Sequence, residues 1–257
     1  MCDDHRVLPL RVERYDGWPT SMYLEVTSGG QRGVLHVDTA SPYTVLVSEG
    51  DDGFVFDAAT IEIGCQQRRV ATYSGAFGAL PDVDGLPVLG SAGIDLFSEA
   101  PTLLNVVDGL LITNPNDNEQ AAVRDAVEVQ HEWAQDVVVL QASFDGAPKR
   151  LILDTGSAHS VWLGEARRDG DIEHVTEDYL GRPLTVYEGT VELGLGGHTF
   201  TLPILRAPTF PILEDWRERL GGDLDGLLGL SAIDALLIDK HAGTLRIAAD
   251  SSTQHGR

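Results

Sequence analysis

"LILDTGSAHSVW" (residues 151–162) runs three aliphatic residues straight into an acid, Asp154, and on through Thr155, Gly156 and Ser157. An apolar strand that ends in a carboxylate and a tight turn carries a charge towards a poorly solvated place. A lone buried carboxylate is costly and tends to keep its proton. Two such acids facing each other can share one proton, one acting as base and the other as acid. The stretch therefore calls for a second aspartate.

That second aspartate is Asp38, in "GVLHVDTASPYTVL" (33–46). The match runs upstream without a gap, "LEVTSGGQRGVLHVDTAS" (24–41) lying over "LQASFDGAPKRLILDTGS" (140–157). Each copy reads as a strand, a turn at glycine (Gly30, Gly146) and a second strand leading into the acid. After an insertion the match resumes, "TIEIG" (60–64) over "TVELG" (190–194). "DGLPVLGSAGIDLF" (84–97) then parallels "DGLLGLSAIDALL" (225–237), an aliphatic run to Gly90 in one and to Gly229 in the other. "LLNVVDGLLI" (103–112) and "LLIDKHAGTLRI" (236–247) read as closing hairpins.

The same features in the same order make the chain a duplicated β-rich unit. Two copies of one motif invite a pseudo-twofold arrangement in which equivalent loops meet at the axis. The expected fold is all-β and bilobal: two β-barrel-like lobes with a few short helices. The expected division is 1–113 for the first lobe, 114–135 for a linker with a helical segment, and 136–257 for the second lobe. Within that linker, "TNPNDNEQAAVRDAVEVQHEW" (113–133) has helical spacing, with Asn116 or Asp117 as its cap. "PILEDWRERLGG" (211–222) reads as a short surface helix, and "GLGGHT" (194–199) as a hairpin turn rather than a phosphate loop.

Hydrophobic-hydrophobic-Asp-Thr-Gly-Ser, followed later by aliphatic-aliphatic-Gly, resembles the aspartic proteases of the pepsin and retropepsin group. The second half, from about 137 to 248, is most similar to the bacterial retropepsin-like aspartyl proteases. The first half follows the same plan more loosely, from about 20 to 113. The resemblance implies an endopeptidase in which an Asp38/Asp154 dyad activates a water. It also implies that Thr39 and Thr155 hydrogen-bond across to the opposite loop. Ser41 and Ser157 would place a hydroxyl near each carboxylate, favouring the charged form and an acidic optimum. A flap would close over substrate. Gly53 is its candidate tip in the first half, and Tyr179, Gly181 and Tyr187 are its candidates in the longer hairpin of the second.

Ala40 departs from the pattern, standing where Gly156 stands in the second copy. A glycine there permits unusual backbone angles and close approach of neighbouring chain. Ala40 therefore opens an alternative, a peptide-binding module of the same fold with weak or no catalytic activity.

Composition sets the partners. Forty acids against eighteen bases give a formal charge of −22, which opposes binding to nucleic acid or to anionic lipid. Peptide or protein is the expected substrate, and one polypeptide holding both half-sites is expected to act as a monomer. The eight histidines show no metal-binding spacing, so neither metal nor cofactor is expected. His36 and His159 flank the acids in sequence and read as packed or solvated. Cys2 and Cys65 supply no disulfide framework, and no apolar run approaches membrane length or resembles a secretory signal. The expected location is cytoplasmic.

Overall fold

The computed structural model describes residues 5–48, 55–74, 82–164, 167–177 and 182–249. Most of the described residues form strands, some from alternating apolar and polar residues and some from short buried runs. The first half supplies β1 (Arg6–Tyr15), β2 (Trp18–Ser28), β3 (Gln31–Val37), β4 (Val45–Ser48) and β5 (Val55–Ile63). β6 (Gln66–Ser74), β7 (Val88–Ala92), β8 (Thr102–Asn105) and β9 (Leu110–Thr113) complete it. β10 (Val127–Glu128) and β11 (His131–Ala134) lead into β12 (Val137–Phe144), β13 (Ala147–Asp154) and β14 (Ser160–Leu163). Next come β15 (Ile172–Glu177), β16 (Pro183–Leu195), β17 (His198–Ala207) and the helix α1 (Pro211–Leu220). β18 (Gly226–Gly229), β19 (Ala235–Asp239) and β20 (Thr244–Ala248) close the chain.

The duplication is visible strand for strand. In the first half the order β2-β3-β7-β4-β6-β5 closes on itself through a β2–β5 pairing. In the second, β12-β13-β18-β14-β17-β16 closes through β12–β16. The protein is an all-β molecule of two such barrels. In each, the strand that enters the aspartate loop and the strand that leaves it are held apart by a third. β7 lies parallel to β3 and antiparallel to β4, and β18 does the same between β13 and β14.

The closing hairpins form as expected, but they do not simply complete their own halves. β19 pairs antiparallel with β8, Leu236 opposite Leu104, so strands of the second half extend the sheet of the first. The platform β10-β20-β19-β8-β9-β1 joins both halves. One core cluster runs through both, from Leu24 and Leu35 to Leu153 and Leu228.

The expected helical segment in 114–135 is realised as a single 3-10 turn, Glu119–Val123. Asn116 starts it, its Oδ1 accepting from the backbone N–H groups of Asn118 and Glu119. β-branched Val127 and Val129 then favour extended chain, and β10 and β11 follow. α1 forms where expected. Pro211 opens it, Leu213 and Trp216 are buried, and Gly221 stops it in a left-handed conformation. Gly196 and Gly197, both at positive φ, make the two-residue turn between β16 and β17.

Cys65, in the turn between β5 and β6, is disulfide-bonded, a cross-link the sequence reading did not anticipate. The other cysteine of the chain, Cys2, lies outside the described residues. No helix among the described residues is long and apolar enough to cross a membrane.

Candidate active site

Two loops meet between the barrels, one after β3 and one after β13. Thr39 and Thr155 are fully buried, and each reaches into the opposite loop. Thr39 Oγ1 donates to the carbonyl of Leu153 (2.8 Å) and accepts from Thr155 N–H (3.0 Å). Thr155 Oγ1 donates to the carbonyl of Val37 (3.1 Å) and accepts from Thr39 N–H (3.1 Å). Four reciprocal hydrogen bonds thus fix the two loops relative to each other. Each hydroxyl is used as donor and as acceptor, so neither can turn without stranding a buried group.

The aspartates stand side by side on this base and hydrogen-bond to each other through their carboxyls. Asp38 Oδ1 accepts from the backbone N–H groups of Ala40 (2.9 Å) and Ser41 (3.1 Å). Asp154 Oδ1 accepts from those of Gly156 (3.0 Å) and Ser157 (3.1 Å). Burial raises both carboxyls above the ordinary aspartate range. Asp154 is raised furthest, by burial first and then by the charge of Asp38 beside it. Two neighbouring carboxyls raised in this way favour one proton held by the pair as a unit.

The serine hydroxyls do not serve the carboxylates as expected. Ser41 Oγ donates to the carbonyl of Tyr43 and Ser157 Oγ to that of His159, bracing each loop from within. The donors to the acids are backbone amides, a role any residue but proline at 41 or 157 could fill.

Gly156 and Ala40 part company here. A Cβ on Gly156 would stand 2.7 Å from Cγ of Asp38, so the second loop needs glycine for space. Ala40 has no positive φ and is unstrained. Its methyl packs across the lobe boundary on the apolar cluster around α1, which includes Ile152, Leu213 and Trp216. The substitution is accommodated by the fold.

The downstream glycines are also corrected. The structural partner of Gly229 is Gly93, three residues beyond the Gly90 expected from sequence. Ile94 N–H donates to Ser41 O as Leu230 N–H donates to Ser157 O. Gly93 N–H donates to Thr44 Oγ1 as Gly229 N–H donates to Ser160 Oγ. Gly90 instead matches Gly226, each opposite the outgoing strand at Leu46 and Trp162. In both copies the pattern is Gly-x-x-Gly, with the second glycine pressed against backbone of the aspartate loop.

The dyad forms the floor of a cleft of about 760 Å³. Leu184, Val186, Leu205, Phe210, Ile212 and Leu227 line its second-lobe side, while Tyr23, His36, Tyr73, Val88 and Ser91 line the first-lobe side. β15 and β16 form the expected long hairpin of the second half, and Thr176, Leu184 and Val186 reach the cleft from it. Tyr187, next to Val186 on the strand, points to the other face and does not line the cleft. The remaining flap candidates, Gly53, Tyr179 and Gly181, lie outside the described residues.

Sequence reasoning passed over Tyr23 and Tyr73 and set His36 aside. The signal was present for two of them. Tyr23 and His36 are opposite each other in the β2–β3 hairpin, and His36 is two residues from Asp38, on the same strand face. His159, by contrast, is exposed.

No protein-family model and no curated protein matches this chain. A solved structure does. The crystal structure of the aspartic proteinase from Irpex lacteus is similar with a TM-score of 0.56 and 12% sequence identity. The likeness covers 98% of this chain and 99% of that one. The chain has the fold of an aspartic proteinase. At that identity the likeness speaks for the architecture, and the chemistry is argued from the residues.

Proposed function

We propose that the protein is an aspartic endopeptidase that hydrolyses peptide bonds as a monomer, with Asp38 and Asp154 as its catalytic residues. One observation carries the reading: two half-buried carboxyls stand side by side on a base of four reciprocal threonine hydrogen bonds. Asp38, ionised, takes a proton from a water held between the acids, and the oxygen of that water attacks the scissile carbonyl carbon. Asp154 gives its proton to the carbonyl oxygen, leaving a neutral tetrahedral diol. Asp38 then passes the proton it took to the amine, and a diol hydroxyl returns one to Asp154 as the carbon–nitrogen bond breaks. Water supplies every atom added, and no covalent enzyme intermediate forms.

The alternative, a peptide-binding module disabled by Ala40, loses support because Ala40 is unstrained and packed. The closer likeness of the second half to bacterial retropepsin-like proteases is part of the same proposal, as is cytoplasmic residence. The disulfide at Cys65 is a sign against the latter, because such bonds persist in oxidising compartments.

A peptide-library digest scanned from pH 3 to 8 tests the activity. Cleavage by the wild-type chain and none by folded Asp38→Asn or Asp154→Asn is expected. Equal cleavage by either variant would refute the dyad.

A further inference from the structure

The two walls of the cleft descend from one repeat but differ in chemistry. His36, Ser91 and Tyr23 on the first-lobe wall occupy the positions of Ile152, Leu227 and Val139 in the second lobe. The strand pairings make this explicit. Tyr23 faces His36 across β2–β3 as Val139 faces Ile152 across β12–β13. His36 adjoins Ser91 across β3–β7 as Ile152 adjoins Leu227 across β13–β18. At each of three equivalent positions a polar group has replaced an aliphatic one, beside Asp38.

The imidazole of His36 is held in one orientation. Its ring packs on Tyr23 with centroids 5.3 Å apart, and Tyr23 is itself tied down, its hydroxyl donating to Glu13 Oε2. Nε2 of His36 is enclosed and has no hydrogen-bond partner among the described residues. An enclosed lone pair without a partner is tolerated better than an enclosed N–H. The neutral ring therefore carries its proton on Nδ1. Nδ1 has no partner among the described residues either, but it is not among the enclosed atoms, and the ring lines the cleft. It presents an unspent N–H there. Burial holds the imidazole below its ordinary pKa, against the smaller opposing pull of Asp38 and Glu13, which keeps it neutral. Beside it, Ser91 Oγ spends its proton on the carbonyl of His36 and keeps lone pairs free to accept.

We infer that His36 and Ser91 form a subsite that reads a carboxamide side chain, Gln or Asn, on one side of the scissile bond. The amide oxygen accepts from His36 Nδ1–H, and the amide NH2 donates to Ser91 Oγ. An acidic side chain meets the negative charge of Asp38 and Glu13. An aliphatic one leaves both groups unpaired in a partly dry wall. The opposite wall, with Leu205, Ile212 and Leu227, takes an apolar residue on the other side of the bond.

This inference rests on the proposed proteolysis, and its test separates the two. Peptides with Phe on one side of the bond and Gln, Leu, Glu or Lys on the other are compared by kcat/KM. The same set is titrated calorimetrically onto Asp154→Asn, which reads binding without turnover. Gln is expected to exceed Leu by about tenfold or more, as sites that hydrogen-bond a substrate reject analogues lacking the group. His36→Ile, which copies the second-lobe wall, is expected to reverse the Gln-to-Leu order. Ser91→Ala, a smaller change, is expected to reduce the ratio without reversing it. Preference for Leu, Glu or Lys in the wild type, or a ratio unmoved in both variants, overturns the subsite while leaving proteolysis standing. Selective binding of the Gln peptide without any cleavage sinks proteolysis and keeps the subsite.

Discussion

Gly156 has no room for a side chain, and the cost of adding one falls on chemistry before stability. Gly156→Ala would push against Cγ of Asp38 at 2.7 Å and displace the carboxyl from its partner. A displacement of about 1 Å at a reacting group costs roughly 10²-fold in rate; kcat should fall by that order, with a stability loss of about 1–3 kcal/mol from overpacking. Ala40→Gly should do the reverse of repair. The alanine is unstrained, so glycine loosens the unfolded chain by about 0.4–1 kcal/mol and removes a methyl from the cluster around α1. A lower melting temperature with no gain in kcat is expected; a faster enzyme would show that the methyl hinders Asp38. The dyad also sets a pH dependence. Both carboxyls bind protons more tightly in the folded chain than in the unfolded one. Stability is therefore lost as pH rises from the unfolded aspartate value of about 3.9 through the raised folded values. Asp154→Asn removes one of these groups, so its melting temperature should gain on wild type as pH rises above the unfolded aspartate value and not below it. The two aspartates and their threonines were legible because each is tied to a local pattern. The serine hydroxyls were not, since their role depends on where a side chain turns within a loop; for His36 the strand face was legible and the free ring nitrogen was not.

The β15–β16 hairpin owes its position to a buried ion pair at its root. Arg206, on β17 and 1% exposed, donates through Nη1 to Asp171 Oδ1 (2.7 Å) and through Nη2 to the carbonyl of Thr190 (2.7 Å). Asp171, just ahead of β15, accepts from the backbone of Arg168 as well, and Gly189 leaves the space in which the pair meets. Arg206→Leu strands a buried carboxylate, which costs about 3–5 kcal/mol. Leu184 and Val186 ride on the same hairpin and line the cleft, so KM should rise in the surviving folded fraction. Asp171→Asn combined with Arg206→Leu should recover part of the stability, because no charge is left unpaired. Thermal melts of the three variants read this directly, and additive losses would show that the pair is not coupled. At this scale the hairpin itself was legible from its alternation, as was α1 from its proline and glycines. The Gly90–Gly229 match was misread by three residues because "VLG" and "LLG" look alike. The register is decided by which glycine lies against the aspartate loop, a contact between segments far apart in sequence.

The two barrels are joined twice, once by the threonine lattice and once by the platform in which β19 pairs with β8. Neither junction is complete in half a chain. A fragment of residues 136–257 carries Asp154 but leaves Thr155 without the carbonyl of Val37 and β19 without its neighbour. Leu236, Leu237 and Ile238 on that strand are buried in the whole molecule, and an uncovered aliphatic edge invites pairing with other copies. The fragment alone should therefore be inactive and self-associate, as sedimentation would show. Mixing it with residues 1–135 should recover cleavage in proportion to the concentration of the complementary half, since each half lends an acid and an edge to the other. The intact chain should behave differently, because both acids lie in one polypeptide. Its activity per molecule should stay constant through a hundredfold dilution, whereas a site built between two copies would lose activity steeply. A dilution-sensitive intact chain, or a second half as active as the whole, would place the working dyad between molecules and remove the basis for a monomeric enzyme.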